Sequence, residues 1–168
     1  MITVNNKKYN AAYDLIHRNI SNNPNKVAFI SNNCQVTYNE LHLKIRAFAS
    51  SIRNININVN DRVIICMDDN INYPVVFLGL IWAGIIPICI NTLLPKKDYK
   101  YMVEDSEARA IIISEQLIDK FNPLIEKEKN ILLISNSNEN TLDLDALINQ
   151  NTHYMEKPFE SNENDIAF

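Results

Sequence analysis

Hydrophobic residues are densest between Arg62 and Asn91, where apolar runs of strand type at 63–67 and 85–90 bracket a helix-length segment. Pro74 suits the first turn of that helix, and Gly84 suits the position just past its end. Joining two strands through a helix predicts that they run parallel. Both strands are apolar at every position, so both of their faces are expected to be covered. The helix at 75–83 is apolar almost all round, which predicts burial on every side.

The flanking pattern supplies the other elements. Ala11–Ile20 has helical spacing, with Ala12, Leu15, Ile16 and Ile20 on one face and Arg18 outside. Residues 21–26 read as a turn, and 27–30 with Cys34–Thr37 as a hairpin around Ser31-Asn32-Asn33. Thr37 and Glu40 form a capping box opening a helix to Asn54. That helix carries Leu41, Ile45, Phe48, Ala49 and Ile52 inward. Lys44, Arg46 and Arg53 lie off this face, and Glu40 and Lys44 make an exposed pair. Residues 54–61 are a polar connector. Pro95 can open a helix that turns Tyr99, Met102 and Val103 inward. Ala110–Ile113 is a strand, 116–128 a helix with a break near Pro123, and 130–135 a strand. Residues 135–141 are a surface loop and 142–149 a short helix. Residues 1–10 are polar and loosely held, 151–164 polar and irregular, and 165–168 the opening of a new strand. This alternation predicts one α/β domain over 1–168, a mostly parallel sheet with helices on both faces.

Composition narrows the chemistry. A chain of 168 residues, 46% hydrophobic and 21% charged, has the make-up of a globular protein. A net charge of −4 and the lack of a basic stripe argue against a nucleic-acid partner. The apolar run at 75–90 is shorter than the ~20 residues a membrane span needs, and Gly79, Gly84 and Pro87 interrupt it. No basic, apolar, small-residue leader opens the chain, so a cytoplasmic location is expected. Cys34, Cys66 and Cys89 lack paired spacings, and Cys66 and Cys89 read as buried thiols. Asparagine and isoleucine are abundant, which we attribute to coding bias. Glycine is confined to Gly79 and Gly84, too few for a loop whose backbone N–H groups cradle phosphates.

Asp68-Asp69 follows a strand, where open α/β sheets place ligands. Such a pair suits a metal or phosphoacceptor site. It suits equally a solvated loop before a helix N-terminus, the commoner case. A phospho-receiver would want a lysine after a later strand, and Ser114 and Ser135 stand there instead. His17, His42 and His153 are scattered without ligand spacing, and His42 reads as an exposed helix residue. Trp82 reads as core. Glu104-Asp105 and 126–129 read as solvated charge. On the residues alone, no catalytic, cofactor-binding or metal-binding side chain is assigned.

The order of local motifs carries a resemblance. Val36-Thr37-Tyr38-Asn39-Glu40-Leu41 resembles the first core motif of the adenylate-forming superfamily, and Leu80-Ile81-Trp82-Ala83-Gly84-Ile85-Ile86-Pro87-Ile88 resembles the second. Tyr9-Asn10-Ala11-Ala12, Arg18-Asn19, Tyr73-Pro74, Phe77-Leu78-Gly79 and Ile90-Asn91-Thr92-Leu93-Leu94 are similar to benzoate-CoA and 4-hydroxybenzoate-CoA ligases. So are Asp98-Tyr99, Tyr101-Met102, Asp105-Ser106 and Ala108-Arg109. The resemblance implies the N-terminal subdomain of an ATP-dependent acid–CoA ligase that forms an acyl-adenylate and then a thioester, using ATP, Mg2+ and CoA. It implies that Asp165-Ile166-Ala167-Phe168 leads toward the phosphate-binding loop. The remaining active-site parts would then lie in a C-terminal portion outside this chain, which alone would be inactive. Relatives often carry Lys or Arg where Trp82 stands, and in some that residue reaches the CoA phosphates. An indole supplies no such charge, so CoA would be held from elsewhere. An apolar docking patch, and self-association through it or through 165–168, are expected. Two other readings stand beside this one: a non-catalytic interaction module derived from the family, and an unrelated doubly wound domain binding a small anion.

Overall fold

The continuous apolar runs demand cover on two faces, and a parallel sheet between two helical layers supplies it. The computed structural model describes residues 8–32, 34–125, 131–137, 141–150, 154–162 and 165–166. In chain order the elements are α1 (Ala11–Ile20), β1 (Val27–Ser31), β2 (Cys34–Thr37), α2 (Tyr38–Asn54) and β3 (Arg62–Cys66). There follow α3 (Asn72–Trp82), β4 (Ile86–Cys89), α4 (Lys96–Ser106), β5 (Ala110–Ile113) and a 3-10 turn (Glu115–Leu117). The chain continues through α5 (Ile118–Ile125), β6 (Leu132–Ser135), β7 (Leu142–Asp143) and α6 (Leu144–Asn149).

β1 and β2 pair antiparallel as a separate hairpin. The other five strands are all parallel, in the order β4-β3-β5-β6-β7. Ile64 stands opposite Ile88 on one side and Ile111 on the other. Successive residues face opposite layers. Val63, Ile65, Ala110, Ile112 and Ile134 join the core under α1, α2, α3 and α6. Ile64, Cys66, Ile111, Ile113 and Leu133 join a second core with Tyr99, Val103 and Phe121 of α4 and α5. Each fully buried aliphatic side chain contributes about 1.5–3 kcal/mol, so β5, with three buried isoleucines in four residues, is the most stabilising strand for its length.

The Thr37 cap forms as expected. The Glu40 N–H donates to Thr37 Oγ1 (3.3 Å), and Glu40 Oε2 accepts from the Thr37 N–H (2.8 Å). Those bonds to Thr37, backbone first, hold the Glu40 carboxyl below its usual range. Lys44 reaches across to Asn149 Oδ1 at 2.7 Å, while its charge still favours the Glu40 carboxylate. With glycine scarce, asparagine takes three left-handed positions: Asn32 (φ 51), Asn56 (φ 65) and Asn60 (φ 65). Its short polar side chain tolerates that region better than most.

Several expectations are corrected. Leu15 is exposed, because α1 docks along a narrow seam of Ala12 and Ile16 and Leu15 lies about 100° round the helix from Ile16. Met102 is only half-buried beside the buried Tyr99 and Val103. Cys89 is exposed, since β4 is the sheet edge and has one neighbour; Pro87, which has no N–H to donate, belongs on such an edge. Ile57 is buried within the polar connector. α5 passes through Pro123 without a break: the one N–H it removes would serve the carbonyl of exposed Asp119. Residues 126–130 lie outside the described residues. β7 precedes α6, two residues being too short to show a period. Ser135 belongs to β6 and is buried rather than in the loop. Asn10, expected in a loose terminus, is 5% exposed and caps α1. Asp165 and Ile166 are not in a strand; the Asp165 carboxylate instead accepts the Asn162 N–H at 2.7 Å, and 167–168 lie outside the described residues.

α2 and α3 approach most closely at Gly79. A Cβ there would lie 2.6 Å from Phe48 Cδ1 and 3.3 Å from the Ile45 carbonyl oxygen. Alanine gains ~1 kcal/mol of helix propensity, while overpacking costs ~1–3 kcal/mol. The backbone contact limits relaxation, so Gly79→Ala is expected to lose about 1–2 kcal/mol in urea unfolding, partly recovered by adding Phe48→Leu. A Gly79→Ala chain as stable as its parent would refute this close-packing account.

Candidate functional site

In this strand order the winding direction reverses between β3 and β5, and a crevice opens there at the carboxyl edge of the sheet. Three loops meet at it: Met67–Asp69 after β3, Asn91-Thr92 after β4 and Ser114–Gln116 after β5. A polar hollow of about 370 Å3 lies between the first two, lined by Asp68, Asp69, Tyr73, Asn91 and Thr92 among others.

The crevice groups are turned on one another. The Asp68 N–H donates to Ser114 Oγ at 2.9 Å, and Gln116 Nε2 donates to the Asp68 carboxylate. Asn91 Oδ1 accepts the Leu93 N–H at 2.8 Å, and its carbonyl accepts the Tyr99 hydroxyl at 3.1 Å. Asp68 and Ser114 thus lace the ends of β3 and β5 together. Ser135, the other position where a receiver lysine would stand, is fully buried at the end of β6, its hydroxyl unpartnered. Burial pushes the Cys66 thiol up to about 11, which keeps it protonated and unreactive at neutral pH. Burial, then the bond to Cys89, also raises the Tyr73 phenol.

Among the described residues no glycine is left bare to cradle a phosphate. A phosphate cradle needs bare backbone N–H groups, and both glycines are already packed under rings, Gly79 under Phe48 and Gly84 under Phe159. We derive no catalytic step through ATP or CoA on these residues. Among the described residues, no three His, Cys, Asp or Glu side chains gather as metal ligands, and no helix is long and apolar enough to cross a membrane.

The two described histidines stay apart from the crevice. His17 stacks on Tyr13 at 4.9 Å. His42 is half-buried rather than exposed, 5.3 Å from Trp82. His153 lies outside the described residues. Trp82 is 1% exposed, and its Nε1–H donates to the Met155 carbonyl at 3.1 Å. It is core, as read, but it also holds a segment that the sequence leaves as irregular chain. Arg46, read as lying off the core face, ion-pairs with Glu156 there. Glu104 and Asp105 are exposed as read, Glu104 pairing with Lys100 at 3.6 Å. Sequence reasoning missed Asn10, although an asparagine one residue before a helical pattern is a cap signal. Apolar surface is exposed at Phe29 and Ile30 of the hairpin, and at Leu132 and Leu142 beside a hollow of about 560 Å3 at the β6–β7 edge.

Burial first, then the charge of Arg46, lowers the His42 pKa below its ordinary 6.5, against a smaller opposing pull from Glu156. A depressed histidine lets the unfolded chain bind more protons, so its contribution is intact above 6.5 and declines as pH falls through the window beneath. Urea midpoints measured across that range should show this slope, and His42→Gln should flatten it. Equal slopes in the two chains would rule His42 out as the source.

Comparison with known proteins gives this scaffold its relatives. A model of the family described as AMP-binding enzyme matches residues 16–168. The benzoate–CoA ligase of Thauera aromatica is 41% identical over 123 residues, 72% of this chain and 23% of that protein. The 4-hydroxybenzoate–CoA/benzoate–CoA ligase of Rhodopseudomonas palustris is 31% identical over 122 residues, 72% of this chain and 22% of that protein. A solved benzoate CoA ligase from Burkholderia xenovorans superposes with a TM-score of 0.85 at 32% identity, over 95% of this chain and 32% of that one. The chain therefore spans under a quarter of the length of these two curated relatives, and the match is to their N-terminal part. With its fold and its sequence in agreement, the chain belongs to the AMP-binding enzyme family.

Proposed function

We propose that this chain is the N-terminal α/β wall of an ATP-dependent acid–CoA ligase whose acid is benzoate-like. In that reaction the carboxylate attacks the α-phosphorus of ATP, supplied with Mg2+, and expels pyrophosphate to give an acyl-adenylate. The CoA thiol then attacks the acyl carbon and releases AMP. The observation that carries the reading is the agreement between sequence and fold on ligases named for benzoate.

The wall contributes support rather than chemistry. Its Asp68 carboxylate is engaged with Gln116, its one buried thiol is protonated, and its glycines are packed. Adenylation belongs to the polypeptide that follows in the relatives, which acts as partner to this wall. Phe29, Ile30, Leu132 and Leu142 offer apolar surface for its docking. The same surface makes self-association the expected behaviour of the isolated chain. Three unpaired thiols agree with a reducing, cytoplasmic setting.

The longer protein is expected to exchange pyrophosphate into ATP only when benzoate or a hydroxybenzoate is present, and to form the CoA thioester. The 168-residue chain alone is expected to do neither. Exchange by the short chain would overturn the supporting role. Exchange by the longer protein on long aliphatic acids alone would overturn the acid class.

A further inference from the structure

Residues 154–162 have no helix and pair with the rest of the fold only through the Tyr9–Ser161 bridge, yet they are held at almost every step. The Met155 N–H donates to the Arg46 carbonyl (3.1 Å), and its own carbonyl accepts from Trp82 Nε1 (3.1 Å) and Arg46 Nε (3.4 Å). The Arg46 guanidinium lies 5.6 Å from the Tyr154 ring centre and pairs with Glu156. The Phe159 N–H donates to the Trp82 carbonyl at 2.8 Å. The Asn10 side-chain amide donates to the Ile81 carbonyl (2.8 Å) and the Phe159 carbonyl (3.0 Å). At Gly84, whose φ is +75, a Cβ would lie 2.5 Å from the Phe159 ring.

The Trp82 carbonyl closes α3, where the last carbonyls have no partner within the helix, and the Phe159 N–H supplies one. The Ile81 carbonyl accepts both the Gly84 N–H (3.1 Å) and the Asn10 amide. Asn10 and Trp82 are buried, and a buried donor without a partner is costly. The segment is thus a strap joining three distant parts of the chain: the α1 cap, the last turn of α3 and the middle of α2. A strap whose role ended at covering apolar surface would need Met155 and Phe159 and little of this polar fixing.

We propose that the strap positions the polypeptide that follows it, and that Asn10 and Trp82 are positioning residues for adenylation. The inference rests on the reading given under Proposed function. The strap holds the outgoing chain to the rigid end of α3, so nucleotide-binding groups carried beyond it meet ATP in one geometry. A displacement of about 1 Å in such a group is enough to cost a large factor in rate.

The test uses the full-length enzyme with Asn10→Asp and Trp82→Phe. The first keeps an oxygen to accept the Tyr13 N–H that Asn10 now caps, and loses the amide bonds to Ile81 of α3 and Phe159 of the strap. The second keeps an aromatic ring and loses the indole N–H. Thr37→Ala, which weakens a helix cap away from the strap, is the control for general destabilisation. In benzoate-dependent pyrophosphate exchange, both strap variants are expected to raise the KM for ATP about tenfold and leave the KM for the acid within about twofold. Thr37→Ala is expected to move neither, and amide hydrogen exchange at 154–161 is expected to quicken in the strap variants alone. Faster amide exchange with an unchanged KM for ATP would reduce the strap to a structural staple and overturn the inference. Unchanged amide exchange would overturn it too. If Asn10→Asp does not fold, Trp82→Phe decides alone. An unsubstituted enzyme without benzoate-dependent exchange would instead defeat the functional reading itself.

Discussion

A helix that is apolar on every side must be covered on every side, and α3 sets that requirement for this fold. Val75, Val76, Leu80, Ile81 and Trp82 are all buried, with no polar face left for water. α2 closes over one side, near enough that Gly79 has no room for a side chain. α1 and α6 take neighbouring sides and the sheet takes another. The strap then closes the last turn, its Phe159 N–H supplying the Trp82 carbonyl that α3 itself leaves open.

The same requirement shapes the edge where ligands gather in open α/β sheets. β3 is paired on both edges and buried on both faces, so the loops after it can be tied down by short polar links. Asp68, Ser114 and Gln116 use their hydrogen-bonding capacity on each other. That leaves a rigid rim rather than a reactive one, which fits a supporting wall within a larger family fold. Burial of Cys66 acts in the same direction by keeping the thiol neutral.

Much of this was legible locally. The parallel βαβ unit, the Thr37 cap, the hairpin and the β5 strand follow from periodicity, capping and turn chemistry, which depend on residues a few positions apart. The motif order around Val36–Leu41 and Leu80–Ile88 was enough to place the family. Misreadings fell where the outcome hung on distant neighbours. Cys89 and Leu15 have the same apolar surroundings in sequence as buried residues, but strand order and docking angle leave them exposed. Asn10 and residues 154–162 are polar and irregular in sequence, and they look loose until α3 supplies their partners.

The sequence by itself determined most of the segments that become helix or strand, that the central strands run parallel under cover on both faces, and which family the chain resembles. These follow from spacing and residue type, whose energetics are local. Tertiary structure alone decided that β4 is an edge, that His42 leans on Trp82, and that an asparagine before α1 grips a phenylalanine 149 residues later. Hydrogen bonds and ring contacts act over a few ångströms, and only the folded chain brings such distant residues that close.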